Sequence, residues 1–249
     1  LRAVSKASLT DAVAHLRAKD ANAPVHIHIA EQQKEVEDCE SHYGMRPVQW
    51  LLDNIELDQH WCLIHATHID EQERHGIIKQ QAVAGICPTT EANLGDGIFP
   101  TTEFIEEQGT FAIGSDSHIS VSPVEELRWL EYAQRLIKQQ RAILATNTTP
   151  SVGQYLWQQA ARGGAQSTNS NTGEIAVGKQ ADLVVLDDQV MANYAMGDQY
   201  RLDSFIFAGN HNAVKDVMVN GHWVIENGRH GNEDKISHDY QALLANLSA

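Results

Sequence analysis

Residues 25–39 read VHIHIAEQQKEVEDC, a short apolar run followed by a polar turn and a helical pattern. Val25 to Ile29 favours a strand, whereas Val36 and Cys39 recur at the three-residue spacing of one helix face. Later runs of the same form occupy residues 61–65, 82–87 and 111–114. Strands that alternate with helices predict βα units around a buried parallel sheet, so the first ~120 residues are predicted to be α/β.

The starts of two helices can also be predicted. A short helix follows Pro47, with Trp50 and Leu51 facing the core. Ser122 is a predicted N-cap, because a proline at the first helical position and Glu125 at the third follow it. The apolar residues expected on one face of this second helix are Leu127, Leu130, Leu136 and Ile137.

The pattern changes beyond a further helix predicted near residues 152–162. Short alternating runs follow, in GEIAVGKQADLVVLD from Gly173, FIFAGN from Phe205 and KDVMVNGHWVIENGRH from Lys215. The pairs Asn220-Gly221 and Asn227-Gly228 are two-residue turn signals, so these runs predict hairpins and a small β subdomain. A terminal helix is predicted near residues 240–247.

Composition excludes several classes of protein. The 249 residues contain 18 Lys+Arg and 33 Asp+Glu, a net charge of −15 that disfavours nucleic acid or an anionic membrane as a partner. The three cysteines Cys39, Cys62 and Cys87 are an odd number without CxxC spacing, which argues against a secreted disulfide scaffold and for a cytoplasmic setting. No apolar run approaches the ~20 residues of a membrane span.

The chemistry-bearing residues follow the predicted strands. Reactive groups in a parallel βα barrel lie at the C-terminal ends of the strands. Here His28 could offer one metal ligand and Asp116 another, with Glu31 moving a proton beside the bound water and His65 hydrogen bonding that water. His26, His68 and His118 lie close by in sequence, but no role can be assigned to them.

Each of these residues also has a structural interpretation. A single histidine at a strand end is more often hydrogen bonded within the fold than bound to metal. The segment GSDSH, residues 114–118, could be a plain turn before a helix, since Ser and Asp are favoured there. The occurrence of such residues at successive strand ends is what favours a functional site.

Spacing decides which strands these are. The interval 116 − 28 = 88 residues contains three βα steps, whereas the first and eighth strands of a barrel are seven steps apart. If Asp116 ends strand 8, then His28 ends strand 5. The length of 249 residues, which matches the roughly 250 of a whole barrel, is therefore predicted to hold half a barrel and part of a small β domain.

Four segments carry a close resemblance to a known family. They are HIHIAEQQKEVEDC, WCLIHATH, GICPTTEANLGDGIFP and GSDSHISVSPVEELRWLEYAQRL, and they resemble segments of the bacterial formimidoylglutamate deiminases of the amidohydrolase superfamily. The opening LRAV is similar to a further family segment, whereas GEIAVGKQADLVVLD is common throughout the superfamily. The resemblance extends over the chain but matches only the C-terminal portion of the family.

The resemblance implies a fold and its boundaries. Residues 1–170 would be the C-terminal half, strands 5–8, of a metal-dependent (β/α)8 barrel. Residues 171–232 would be part of a composite β-sandwich subdomain, and residues 233–249 a C-terminal helix. The family's strand 1 His-X-His pair would lie upstream of Leu1, so we expect the 249 residues alone to bind metal weakly, to aggregate and to be inactive.

Residue roles follow from the same resemblance. His28 and Asp116 match metal ligands, Glu31 the proton-shuttling glutamate, and His65 the histidine that hydrogen bonds the hydrolytic water. Arg2 matches an arginine that holds a substrate carboxylate. The cofactor would be one divalent ion, usually zinc, although the ligands do not exclude iron or manganese.

The implied reaction converts N-formimidoyl-L-glutamate and water to N-formyl-L-glutamate and ammonia, in cytoplasmic histidine degradation and in a homodimer. Two alternatives stay open. One is a related amidohydrolase, such as a guanine or cytosine deaminase or an imidazolonepropionase-like enzyme. The other is a catalytically incomplete fragment or binding module.

Overall fold

The computed structural model describes residues 4–191 and 197–247. Its first part holds the strands β1 (Val25–Ile29), β2 (Trp61–His65), β3 (Val83–Ile86) and β4 (Thr110–Ile113). They form one parallel sheet in the order β1-β2-β3-β4, which confirms the α/β prediction. Within the described residues, the outer edges of β1 and β4 pair with no further strand.

Eight helices accompany this sheet among the described residues. They are α1 (Lys6–Lys19), α2 (Gln33–Tyr43), α3 (Pro47–Asn54), α4 (Glu71–Lys79), α5 (Pro88–Leu94), α6 (Thr101–Glu106), α7 (Pro123–Lys138) and α8 (Val152–Ser167). Trp61, Leu63, Ile86 and Phe111 are buried in the sheet, and Trp50 and Leu51 of α3 join the same core. Continuous apolar strands are what a sheet covered by helices requires.

Helix α7 confirms its predicted start and corrects its predicted face. The Ser122 hydroxyl accepts the Glu125 N–H at 3.3 Å, as an N-cap should. Leu127 and Leu130 are buried, but Leu136 and Ile137 are 75% and 53% exposed, so their prediction was wrong.

The reason is that the buried stripe of α7 continues through polar residues. Glu131 and Gln134 follow Leu127 and Leu130 on the same face and are themselves buried. The Glu131 carboxylate accepts the backbone N–H groups of Ile143 and Leu144, and the Gln134 amide donates to the Phe99 carbonyl. A hydrophobicity pattern does not detect a buried face of this kind.

The second part is a small antiparallel sheet in the order β5-β6-β7-β8. Its strands are β5 (Leu183–Leu186), β6 (Val214–Val219), β7 (His222–Glu226) and β8 (Arg229–His230), and α9 (Arg201–Phe207) and α10 (Glu233–Leu247) complete the chain. Asn220 and Gly221 join β6 to β7 with φ of 49° and 78°, and a two-residue hairpin turn needs such positive values. No described helix is both long and apolar enough to cross a membrane.

The expectation that FIFAGN forms a strand was wrong. Phe205, Ile206 and Phe207 belong to α9. Ile206 is fully buried, and the Phe205 ring lies 5.4 Å from that of Trp157 on α8. A short apolar run fits a buried helix as well as a strand, and here packing against α8 decides.

Candidate functional site

The carboxyl ends of β1, β2 and β4 bring three predicted residues to one place. Strand β1 carries His28, β2 ends at His65, and Asp116 follows β4. One ligand atom from each of these residues can be chosen so that all three lie within 4.8 Å of one another. The rings of His28 and His65 meet edge to face, with centroids 5.1 Å apart. Parallel strands with a shared register explain why residues so distant in sequence converge.

This donor set fits a divalent metal ion. Imidazole nitrogen together with carboxylate oxygen is a ligand combination typical of zinc and related ions. The Nε2 atom of His65 is buried and has no hydrogen-bond partner among the described residues. A buried nitrogen without a partner is costly, and a bound ion or the water that accompanies it would satisfy this one.

Glu31 lies at the same strand end. The residue is 6% exposed, and Oε1 of its carboxylate lies 3.8 Å from Nε2 of His65. The backbone around it is fixed by the buried Glu35, which accepts the N–H groups of Ala30 and Glu31 at 3.0 and 3.1 Å. Ala30 has a φ of 51°, which is unfavourable for a residue with a side chain, so these two hydrogen bonds hold a strained turn.

Asp116 occupies a second strained turn. Its φ is 43°, and Oδ2 lies 4.0 Å from Nε2 of His65. Thr90 on α5 fixes the residues on either side, because its hydroxyl donates to the Ser115 carbonyl and accepts the Ser117 N–H, both at 3.2 Å. The aspartate is thereby held over the end of β4 with its carboxylate directed towards His65.

His65 is the central residue of the cluster and is fully buried. Its Nδ1 lies 3.2 Å from Oε1 of Glu91, on the side away from Glu31 and Asp116. Burial lowers the pKa of His65, but the hydrogen bond and charge of Glu91, with the charges of Glu31 and Asp116, outweigh burial and raise the pKa above its usual value. Three carboxylates thus favour positive charge at this site.

Burial disfavours the thiolate forms of Cys62 and Cys87. Burial raises the pKa of the Cys87 thiol above its usual range, and burial likewise raises that of Cys62 to about 12. Only a thiolate acts as a nucleophile or a metal ligand. The raised pKa values disfavour thiol chemistry at this edge of the sheet, where imidazole and carboxylate groups converge.

The remaining predicted histidines have other contacts. The ring of His26 lies 2.7 Å from the Ser167 carbonyl, and that of His68 lies 2.6 Å from the Asp96 carbonyl. Both rings thus form hydrogen bonds to the backbone, as expected for histidines with a structural role. His118 is exposed, and Arg2 lies outside the described residues.

Two residues of the site were not identified from the sequence. Glu91 lies in the segment GICPTTEANLGDGIFP and Glu35 in HIHIAEQQKEVEDC, but the sequence alone predicts no role for either residue. The available signal is a glutamate in the first turn of the helix that follows a strand. That position alone would suggest a helix cap, and only the folded chain shows that Glu91 reaches His65.

Comparison with known proteins gives the following matches. The sequence profile of the amidohydrolase family matches residues 2–224. The chain is 49% identical over 249 residues to formimidoylglutamate deiminase of Pseudomonas aeruginosa, covering 99% of this chain and 54% of that protein. It is 30% identical over 212 residues to 5-methylthioadenosine/S-adenosylhomocysteine deaminase of Shouchella clausii, covering 82% of this chain and 46% of that protein. The chain thus spans about half the length of the curated relatives it matches.

Solved structures of amidohydrolase and deaminase proteins also match this chain. An amidohydrolase from Brucella melitensis superposes with a TM-score of 0.89 at 43% identity, covering 99% of this chain and 53% of that one. A zinc-bound adenosine deaminase from Xanthomonas campestris superposes with a TM-score of 0.82 at 24% identity, covering 98% of this chain and 53% of that one. The second match establishes similarity of fold alone.

Proposed function

The chain belongs to the amidohydrolase family, and on that premise we propose that it supplies the proton-transfer residues and two metal ligands of a formimidoylglutamate deiminase. The observation that carries the proposal is the convergence of His28, His65 and Asp116 beside the buried Glu31. The 49% identity to a protein of that name supports the choice of reaction.

We assign β1 to β4 as strands 5–8 of a (β/α)8 barrel, of which residues 1–170 form the C-terminal half. Residues 171–232 would be part of a composite β-sandwich subdomain, and residues 233–249 a C-terminal helix. The activity belongs to a complete barrel, of which this chain supplies half. In the part of the chain that the structure describes, the outer edges of β1 and β4 pair with no further strand, which supports the expectation that the 249 residues alone aggregate. A monodisperse and active preparation of these residues would overturn that expectation.

His28 and Asp116 would hold the metal ion, with zinc as the first choice. When bound, the ion supplies the Lewis acidity that makes a water nucleophilic near neutral pH. His65 and Asp116 orient that water, and attack at the formimidoyl carbon forms a C–O bond. Glu31 accepts a proton from the water and delivers it to the terminal nitrogen. The new hydroxyl group then gives its proton to the same nitrogen as the C–N bond breaks and the formyl C=O bond forms, so that N-formyl-L-glutamate and ammonia result.

Substrate selection requires a cation. The substrate carries two carboxylates, whereas the chain has a net charge of −15. Arg2 offers the planar fork that binds a carboxylate through two hydrogen bonds. We propose that Arg2 binds one of them, in a cytoplasmic homodimer that acts in histidine degradation. Arg2→Lys should raise KM more than it lowers kcat, because a single ammonium cannot reproduce the fork.

The proposal is tested by ammonia release from N-formimidoyl-L-glutamate in the intact, zinc-loaded protein that contains this sequence. We expect turnover on this substrate, and absence of turnover would overturn the proposed function. The competing candidate is a nucleoside-type deaminase, since a 5-methylthioadenosine/S-adenosylhomocysteine deaminase is 30% identical. Faster turnover of 5-methylthioadenosine, guanine or cytosine than of formimidoylglutamate would favour that candidate.

A further inference from the structure

The contact between Glu91 and His65 goes beyond the roles assigned so far. Glu91 lies in the first turn of α5 and is 4% exposed. Its Oε1 accepts the Cys87 N–H at 2.9 Å and lies 3.2 Å from Nδ1 of His65. One carboxylate oxygen therefore joins the end of β3 to the histidine at the end of β2.

The chemistry of the pair fixes the position of a proton. An ionised carboxylate oxygen can only accept hydrogen bonds, so the proton between Oε1 and Nδ1 belongs to the imidazole. The hydrogen bond made by one ring nitrogen determines whether the other ring nitrogen carries a proton. Nε2 is then the ring nitrogen that faces Glu31 and Asp116, at 3.8 and 4.0 Å.

The surroundings of Glu91 leave it little freedom. The backbone N–H of Glu91 donates to the Cys87 carbonyl at 2.9 Å, so the residue is tied to the end of β3 by backbone and side chain alike. A carboxylate held in this way can select one orientation of the His65 ring.

We infer that Glu91 is a positioning residue that keeps a proton on Nδ1 of His65, so that Nε2 serves the reacting water. The inference deepens the proposed function, because it matters for turnover only if His65 serves the reaction. The protonation state of Nδ1, however, can be measured without any turnover. Failure of the two proposals is therefore distinguishable.

The first test is nuclear magnetic resonance of the intact protein with ¹⁵N-labelled histidine. The His65 signals are identified by their loss in His65→Gln. We expect Nδ1 to show the shift of a protonated ring nitrogen. A wild-type protein with an unprotonated Nδ1 and the proton on Nε2 would overturn the inference. Because this test needs only the wild type and His65→Gln, it stands even if every Glu91 variant misfolds.

The second test uses variants with a matched control. Glu91→Leu removes the hydrogen-bond acceptor, so we expect the proton of His65 no longer to favour Nδ1. We also expect kcat to fall by about 10–100-fold, the usual effect of losing a group that orients a histidine in a metal site, with KM nearly unchanged. Glu91→Gln should retain the Nδ1 proton and most of kcat, because the Cys87 N–H holds the amide oxygen towards both donors. Glu126→Gln weakens only the anchoring of Thr89 and should leave the His65 signals unchanged.

Two results would overturn the inference. One is an unchanged kcat in Glu91→Leu together with a retained Nδ1 proton. The other is an equal loss of kcat in Glu91→Leu and Glu126→Gln with the same His65 signals, which would mark Glu91 as a structural residue of α5.

Discussion

Oε1 of Glu31 lies 3.8 Å from Nε2 of His65, and the two residues stand at the ends of neighbouring strands that pair with Ile29 opposite His65. This distance is too long for a direct hydrogen bond. The two side chains therefore face one space from two sides, and a water or a reacting nitrogen in that space can contact both. Proton transfer by Glu31 requires such an arrangement.

Glu31→Gln should lower kcat for ammonia release by about 10²–10⁴-fold, the usual contribution of a positioned acid or base. The amide has the same size but cannot carry the proton, so bound metal and unfolding free energy should stay near wild type. Glu37→Gln is the control, because Glu37 is exposed on α2 in the same segment. Full activity in Glu31→Gln would remove this residue from the mechanism.

Metal binding can be assigned to individual histidines. His28→Ala should weaken zinc binding by more than ~10–100-fold, because it removes a ligand itself. That range is typical of losing a group that only hydrogen bonds a ligand. His26→Ala should leave zinc affinity unchanged, since the His26 ring contacts the Ser167 carbonyl instead. The zinc affinity of each variant is measured by its zinc content and by competition with a chelator. Equal losses in the two variants would show that the ligand assignment is wrong.

Turnover should depend on that ion. A strong chelator should abolish ammonia release, and added zinc should restore it. Asp116→Ala should not recover at any zinc concentration, because Asp116 also orients the water. Activity that survives complete removal of the metal would contradict the assignment.

Much of the sheet could be predicted because β2, β3 and β4 are largely buried on both faces. The expected strand at residues 82–87 is observed as Val83–Ile86, and that at residues 111–114 as Thr110–Ile113. Strand ends also indicated where Glu31, His65 and Asp116 lie, since the ends of parallel strands meet at one edge. These predictions needed only local pattern and the rule of parallel packing.

Other features depend on contacts that are distant in sequence. Glu91 bonds His65 across 26 residues, and Glu131 bonds Leu144 across 13. A buried glutamate in a helix has the same appearance in sequence as an exposed one, because the partner that satisfies it is known only once the chain is folded. The same reason accounts for the misplaced face of α7.

Acid should selectively weaken one surface contact. Arg74 on α4 donates two hydrogen bonds to Glu107, at 2.8 and 2.7 Å, and the pair lowers the pKa of Glu107 below its usual value. A carboxyl group whose pKa is lower in the folded than in the unfolded protein stabilises the fold at any pH above its unfolded pKa of about 4.3. This stabilisation is lost as the pH falls through the folded pKa. His75, whose Nε2 lies 3.3 Å from the same carboxylate, adds to the attraction when protonated.

Glu107→Gln should therefore lower the free energy of unfolding at pH 7 by at most about 1 kcal/mol, as the pair is partly exposed. The difference from wild type should shrink to zero as the pH falls below ~4. Urea unfolding of both proteins between about pH 7 and about pH 3 measures this difference in unfolding free energy. Glu106→Gln is the control, because Glu106 is exposed. A difference that stays constant down to the lowest pH would mean that charge is not its source.

Two adjacent glycines of α8 should respond in opposite directions to the same substitution. Gly163 faces β4, where an added Cβ would lie 1.8 Å from the Phe111 carbonyl oxygen. Gly164 has open space at the corresponding position. Gly163→Ala must push α8 away from the sheet, and we expect it to lower the unfolding free energy by at least about 1–3 kcal/mol. Gly164→Ala should raise it by about 0.5–1 kcal/mol, because alanine is the better helix former. Chemical denaturation of both variants measures the difference, and equal effects would show that α8 does not pack on β4 through Gly163.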